Sequence, residues 1–312
     1  MSLRLVLILS ENWTMTGPRD LPALVRMAVE AEAAGADAVM VSEHVVLGPS
    51  ANEAGEPANP RDYALPGNQD PRTPWPSSLL LLAAIAGATT RIRLVASAVL
   101  APLRHPLLLA RELGTLDLLC EGRLVVQPTV SWHRDEYEAL GVPFHRRGEL
   151  LDEHLAIWEL LWRETPASFE GVHYAFRDVY FEPKAFRSDG PRLWFGGESL
   201  HPRLLRRLVR YGHGFNPLGA PTDDDLAKLA AALREAGREP GELEMVGGTR
   251  GDFPDAEHPA DLDRALDSIP AQIERGFRTF CLKPSQFTDD PDAVGDLVRR
   301  AVARLDELAP VS

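Results

Sequence analysis

The sequence predicts an α/β fold, a single (β/α)8 TIM barrel with a long loop after strand 2 and a small hairpin insertion before strand 5. First, short apolar strands alternate with helices over more than 250 residues, which favours a closed barrel over an open sheet. Second, the pattern over Ile92 to Gln127 predicts a strand, a helix and a strand with short connections, which is typical of a right-handed parallel crossover. Third, no GxGxxG follows the first strand, which weakens the runner-up, an open doubly wound sheet.

Each strand is predicted from a short apolar run bounded by turn residues. The eight predicted strands are Leu3–Leu9, Ala38–Val41, Ile92–Val99, Arg123–Gln127, Leu193–Phe195, Gly214–Asn216, 242–247 and 277–282. Helix boundaries follow from capping residues and apolar periodicity; in the central unit, Pro106 opens the helix and Gly122 closes it. The predicted helices are 21–35, 76–87, 106–122, 147–164, 201–211, 222–236, 261–275 and 291–308.

Two stretches interrupt the alternation. Residues 45–75 are rich in Pro, Gly and Asn, and a loop of this length inside a compact domain is usually functional. Residues 169–183 are aromatic and β-branched around polar turns, which predicts a short inserted hairpin. Arg134, Asp135 and Glu136 are predicted to be an exposed helix start. Neither a repeat nor a linker divides the chain, so we expect one domain over 1–312.

The composition excludes several classes of function. The 312 residues include 33 Lys and Arg against 46 Asp and Glu, a net charge of −13 that disfavours nucleic acid as a ligand. No apolar run reaches about 18 residues, so we expect no membrane span. The amino terminus has no basic leader, and Cys120 and Cys281 are far apart without a CxxC, which fits a cytoplasmic protein with buried, unpaired thiols.

In a barrel of this kind the active site lies at the carboxyl ends of the strands. Among the residues this selects are Glu11, Lys283 and, after the second strand, Glu43 and His44. His44 could exchange a proton with a substrate near neutral pH, or it could simply be hydrogen-bonded within the loop.

A second candidate site is the run FGGES at 195–199, which precedes a helix. It could cradle a phosphate on main-chain amides, although glycines are equally expected in a tight turn. Arg104, above the third strand, could contact a ligand or pair with a carboxylate. Trp132 could form a wall for a planar ring, or serve as core or lid. The nine histidines show no HxH or HExxH spacing, so we expect no metal site.

At these positions the sequence resembles the bacterial-luciferase-like flavin oxidoreductases, especially the branch that uses the deazaflavin coenzyme F-420. The resemblance covers most of residues 3–217 and is weak beyond residue 220. The matching stretches are SEHVVL (42–47), the run 88–124, the run 132–162, FEGVHYAF (169–176), PRLWFGGES (191–199) and RYGHGFNP (210–217).

The resemblance implies a flavin-type ring, from F-420 or FMN, at the barrel mouth. It implies a non-prolyl cis peptide behind the ring at Ser97 and Ala98, and catalytic roles for His44 and Glu43. It also implies a phosphate held near Gly196, Gly197 and Ser199. The expected cofactor-binding residues are Ser97, Ala98, Gln127, Trp132, Gly196, Gly197, Ser199 and Gly214.

Two departures from the family pattern bear on the cofactor. Gln127, Thr129 and Ser131 occupy places where relatives carry glycines, so their side chains could narrow the ring site. His213 stands where relatives usually have Asp. The cofactor could therefore be shifted, exchanged or lost.

Three functions remain open. The first is hydride transfer from reduced F-420 or flavin to a small organic substrate, with His44 as proton donor. For F-420, basic groups such as Arg61, Arg72 or Arg104 would have to hold the anionic tail. The second is FMN-dependent monooxygenation, and the third is a cofactor-free barrel that binds or scaffolds. Relatives commonly form homodimers, and the exposed helix faces predicted here permit one.

Overall fold

The computed structural model describes residues 2–309 and confirms the closed barrel. All neighbouring barrel strands that pair are parallel. In chain order the barrel strands are β1 (Arg4–Ile8), β2 (Ala38–Val41), β3 (Arg93–Leu100), β4 (Leu124–Thr129), β7 (Arg192–Phe195), β8 (Gly214–Phe215), β9 (Glu244–Gly248) and β10 (Thr279–Leu282). The predicted hairpin is confirmed as the antiparallel pair β5 (Ala167–Glu170) and β6 (Ala175–Val179), which follows β4.

Helices separate the strands and cover the outside of the barrel. They are α1 (Leu21–Ala33), α2 (Ser78–Ala88), α3 (Pro106–Leu119), α4 (Arg134–Ala139), α5 (Arg147–Arg163), α6 (Pro202–Tyr211), α7 (Asp223–Glu235), α8 (Leu262–Leu266), α9 (Ile269–Glu274) and α10 (Val294–Leu308). The single helix predicted over 261–275 is wrong, because the structure has two helices there. Pro270 lies in the first turn of α9. Proline has no N–H, so it fits the first turn of a helix but interrupts the interior of one.

The core has two apolar layers on either side of the barrel wall. The inner layer fills the barrel with side chains from alternate strand positions, including Met40, Val95 and Trp194. The outer layer packs the strands against the helices; on α5 the predicted stripe of Leu151, Leu155, Trp158 and Trp162 is buried as expected. Both cysteines are buried and unpaired, as the sequence predicted.

The long loop after β2 is packed against the barrel. It contains a short 3-10 turn, Pro49–Asn52. The side-chain amide of Asn59 donates to the carbonyl oxygens of Asp255 and His258, each at 2.9 Å, and the buried Arg61 pairs with Asp289. The loop is thereby tied to the segments that follow β9 and β10. Within residues 2–309, no helix is long and apolar enough to cross a membrane.

Candidate active site

The carboxyl ends of the barrel strands converge at one end of the barrel, here called the mouth. The turn after β2 brings Glu43 and His44 to the mouth. The end of β3 contains the cis peptide between Ser97 and Ala98, and the strand pairing shifts register between Ser97 and Val99. The cis peptide therefore lies where the resemblance implied it, beside the end of β4.

Glu43 is held on all sides by protein donors. The residue is 5% exposed, and its carboxylate accepts hydrogen bonds from the Ser78 hydroxyl at 2.7 Å and the Leu100 amide at 2.9 Å. The Arg104 guanidinium donates to both carboxylate oxygens, at 2.6 and 3.0 Å. Of the two alternatives for Arg104, the structure thus has the carboxylate pair. Because each carboxylate oxygen already accepts two hydrogen bonds, Glu43 is suited to fixing the turn that carries His44 rather than to moving a proton.

His44 is set in an aromatic and acidic surround. Its ring lies 5.0 Å from the ring of Trp75 and 5.8 Å from that of Trp132, both edge-on. Its Nδ1 lies 3.1 Å from Oε1 of Glu136, although the angle is poor for a hydrogen bond. The side chain keeps 9% of its surface exposed. Trp132, predicted to line a ring site, therefore stands beside the predicted proton donor.

Glu136 was missed as a site residue, because Arg134 to Glu136 was predicted to be an exposed helix start. The helix is present as α4, but the prediction of exposure is wrong for Glu136, which is 0% exposed. Its carboxylate accepts from the Val45 amide at 2.8 Å and the Ser131 hydroxyl at 2.9 Å. It therefore joins the turn after β2 to the turn after β4. An acidic residue in a first helical turn gives no sequence signal of such a contact.

The neighbouring His133 has a similar structural role. It is fully buried, and its Nε2 accepts a hydrogen bond from the Gly48 amide at 2.8 Å. Burial lowers the pKa of the His133 imidazole, so the neutral form that accepts this bond is favoured. His133 thus holds the start of the long loop against α4.

Gln127, one of the departures from the family pattern, is part of a buried polar bridge. Its Oε1 accepts from the Ser97 hydroxyl at 2.9 Å and from the Asn216 side-chain amide at 2.8 Å. The bridge links the ends of β3 and β4 to the residue after β8. Gln127 is 4% exposed, so its side chain takes up room that a glycine would leave at the mouth. Ser131, which also stands where relatives carry a glycine, donates its hydroxyl hydrogen bond to Glu136.

The glycines predicted to receive a phosphate differ from each other. A Cβ on Gly196 would lie 1.7 Å from the Asn216 carbonyl oxygen, so close backbone packing alone requires a glycine there. Around Gly197 the nearest atom, on Leu204, would be 3.5 Å away, an ordinary contact. Ser199 is exposed in the turn before α6, and His201 caps that helix by accepting from the Leu204 amide at 3.2 Å. The turn at Gly197 to Ser199 therefore remains the better candidate for a phosphate.

Gly214 lies apart from these glycines, and its role as a cofactor contact stays a prediction. It begins β8, pairs with Trp194 and with the first residue of β9, and a Cβ there would lie 2.3 Å from the Trp194 ring. It lies inside the barrel towards the amino end, where packing against Trp194 explains the glycine.

Two more titratable groups lie at the mouth, Glu11 after β1 and Lys283 after β10. Lys283 is 1% exposed; its ammonium donates to the Asp62 carbonyl at 3.0 Å and lies 5.5 Å from the centre of the Tyr63 ring. Burial lowers the pKa of Lys283, while the charges of Glu11 and Asp62 oppose that shift. Burial raises the pKa of the Glu11 carboxyl, opposed by the charges of Lys283 and His44. Both shifts favour the uncharged forms, and perturbed pKa values are common at functional sites.

Comparison with known proteins shows which sequences this chain is similar to. Residues 4–250 match the sequence model of a family described as luciferase-like monooxygenase. An uncharacterized protein of Mycobacterium tuberculosis is 36% identical over 208 residues, which cover 66% of this chain and 70% of that protein. The FMNH(2)-dependent dimethylsulfone monooxygenase of Pseudomonas putida is 28% identical over 165 residues, 49% of this chain and 44% of that protein.

The fold also matches solved structures. An F420-dependent secondary alcohol dehydrogenase, solved in complex with an F420-acetone adduct, superposes with a TM-score of 0.72 at 16% identity. The superposition covers 98% of this chain and 99% of that one.

Proposed function

The chain belongs to the luciferase-like monooxygenase family, and we propose that it is an oxidoreductase that acts on a small organic substrate with a flavin-type cofactor at the barrel mouth. The observation that carries the proposal is the setting of His44. Its ring makes edge-on contacts with the indoles of Trp75 and Trp132, and its Nδ1 lies 3.1 Å from Oε1 of the buried Glu136. This leaves Nε2 as the ring nitrogen that exchanges a proton with a substrate.

The residues at the mouth fit a flavin-type group. Trp132 supplies an aromatic wall, and the Ser97–Gln127–Asn216 bridge forms the base of the mouth, where the Gln127 side chain limits the room for a ring. The open turn at Gly197 to Ser199 offers main-chain donors for a phosphate. When bound, a reduced flavin-type ring supplies the reducing equivalents. The protein's own part is to orient the substrate, to exclude water with Trp75 and Trp132, and to hold the proton on His44.

The ion pairs of the structure favour FMN over F-420. Arg61, Arg72 and Arg104 were expected to hold the anionic tail of F-420, but each is paired with a carboxylate, of Asp289, Asp70 and Glu43 respectively. FMN needs only one phosphate site, which the turn at Gly197 to Ser199 can provide. The relative named as FMNH(2)-dependent supports the same choice.

The experiment is a titration of the purified protein with FMN, reduced FMN and F-420, each followed by absorbance and fluorescence. We expect the tightest dissociation constant for one form of FMN. Tight binding of F-420 alone would assign the chain to the deazaflavin branch. Binding of none of them would refute the proposal and favour the cofactor-free alternative.

The role of His44 is tested with His44→Asn and, as a matched control, His145→Asn, since His145 is exposed on the short turn before α5. Turnover is measured as loss of the reduced cofactor with a panel of small carbonyl and sulfone compounds. We expect His44→Asn to lower turnover by roughly 100-fold or more, with cofactor affinity unchanged. Turnover equal to that of the control variant would remove His44 from the chemistry.

A further inference from the structure

A concavity among the described residues lies at the opposite end of the barrel from the mouth. It has a volume of about 930 Å³ and is lined by the first residues of several strands, including Arg4, Arg93, Leu124, Arg192 and Glu244. We call it the amino-end basin. Since it faces away from Glu43 and His44, it is separate from the candidate active site.

The basin is strongly basic, although the chain as a whole has a net charge of −13. Its lining carries the arginines 4, 93, 123, 187, 192, 275 and 278 against the carboxylates of Asp37, Glu242 and Glu244. That is seven positive charges against three negative ones, a local excess of four. In a protein of opposite overall sign, such an excess marks a site for an anion.

Several of these arginines form no ion pair with a carboxylate of residues 2–309, although Arg275 is paired with Asp223. Arg4 and Arg93 are paired with Asp37 and Glu244. Arg123, in contrast, donates to main-chain carbonyls such as that of Ile92 at 2.8 Å, and Arg187 donates to the Gly122 carbonyl at 3.2 Å.

Arg278 donates to the Ile273 and Phe277 carbonyls, at 2.7 Å each. Arg192 is exposed, and no carboxylate among residues 2–309 forms an ion pair with it. Carbonyl oxygens orient a guanidinium but do not cancel its charge. All five N–H groups of Arg123 donate within the protein, so Arg123 adds only its charge. Arg187 and Arg192 keep N–H groups that can bind an anion.

His213 also lines the basin, close to several arginines. Burial lowers the pKa of its imidazole, and the positive charges of Arg192, Arg238 and Arg187 lower it further, against the opposing charge of Asp189. His213 is one of the departures from the family pattern. Its Nδ1 accepts from the Leu193 amide at 3.1 Å, which holds the ring at the edge of β7.

The remaining wall of the basin is apolar. Leu226 and Ala230 of α7 and Met245 of β9 line it and are each partly exposed. A bare inorganic anion would leave this apolar surface in contact with water. A ligand with an apolar body would cover it, at about 25 cal/mol for each Å² removed from water.

We propose that the amino-end basin binds a small phosphate monoester with an apolar body, its phosphate held by Arg187 and Arg192 and its apolar part covering α7. Two arginines match the charge of a phosphate dianion, and their planar forks bind phosphate oxygens in pairs. The proposal does not depend on the function of the mouth.

The experiment is isothermal titration of the full chain with octyl phosphate, with inorganic phosphate and octyl glucoside as the two partial probes. We expect one octyl phosphate site per chain, with an affinity at least tenfold above that of either partial probe. This affinity should fall as the salt concentration rises. The variant Arg187→Gln/Arg192→Gln should lose at least fivefold in affinity. The control Arg26→Gln, at an exposed position of α1, should bind octyl phosphate as tightly as the parent does. All variants should keep the parent's unfolding midpoint.

Equal affinity of the double variant and the parent would overturn the proposal, as would equal binding of octyl glucoside. Competition with FMN distinguishes the two ends of the barrel. We expect saturating FMN to leave octyl phosphate binding unchanged, and displacement by FMN would assign the probe to the mouth and refute the basin site. If the protein does not bind FMN, the proposed function fails while the arginine variants still test the basin.

Discussion

The substitution Glu43→Gln separates a structural from a catalytic role for a residue that the sequence placed in the active site. It keeps the shape of the side chain and removes its charge. In the parent, the carboxylate accepts two bonds from Arg104, one from Ser78 and one from the Leu100 amide. The amide has only one oxygen to accept them, and its NH2 group would face donors.

The expected loss follows from those contacts. A hydrogen bond to a charged group contributes about 1.5–3 kcal/mol, and breaking a buried ion pair costs about 3–5 kcal/mol. Arg104 keeps 23% of its side chain exposed, so water recovers part of its solvation after the substitution. We therefore expect the free energy of unfolding to fall by about 3 kcal/mol.

The assay is urea unfolding of Glu43→Gln, Arg104→Gln and the double variant, with Glu138→Gln on the exposed face of α4 as control. The double variant should be less destabilised than the sum of the single variants by at least about 1 kcal/mol, because the pair is broken only once. Unchanged stability of Glu43→Gln together with a large loss of turnover would refute the structural role and return Glu43 to the chemistry.

Two further predictions concern the bridge at the mouth and the ion pairs at the amino end. Gln127→Gly should tighten FMN binding, because it frees room at the mouth. It should also lower the free energy of unfolding by about 1–3 kcal/mol, because Ser97 and Asn216 lose their shared acceptor. FMN titration measures the first effect and thermal unfolding the second, and unchanged affinity would mean that Gln127 does not crowd the ring. At Glu244, burial disfavours the charge, yet Arg93, Thr279 and Arg4 lower the pKa to about 2 from the unfolded value of 4.5. Because the pKa is lower in the folded protein, the ionised Glu244 stabilises the fold fully above pH 4.5. This contribution to the free energy of unfolding, about 3 kcal/mol, is lost as the pH falls towards 2. Glu244→Gln should therefore show a smaller difference in urea stability between pH 6 and pH 3 than the parent, and an equal difference would contradict the assignment.

The sequence by itself determined the order of the elements and the end of the barrel where the candidate site lies. Apolar runs, Pro106 and Gly122 are local signals, and the strand ends follow from them because connections in a parallel barrel are short and of one hand. The same signals failed for the helix over 261–275, where Pro270 was given too little weight. They also failed for α4, where local polarity suggested exposure.

Only the tertiary structure decided which side chains meet. Glu43 reaches Arg104, 61 positions along the chain, and Gln127 reaches Asn216 across 89 positions. Glu136 approaches the turn of His44 from another strand end, and Gly196 is a glycine because the backbone at Asn216 passes against it. The basic basin likewise gathers arginines from strands far apart in sequence. Local pattern encodes the face on which a residue lies, whereas its partner depends on which strands become neighbours when the barrel closes.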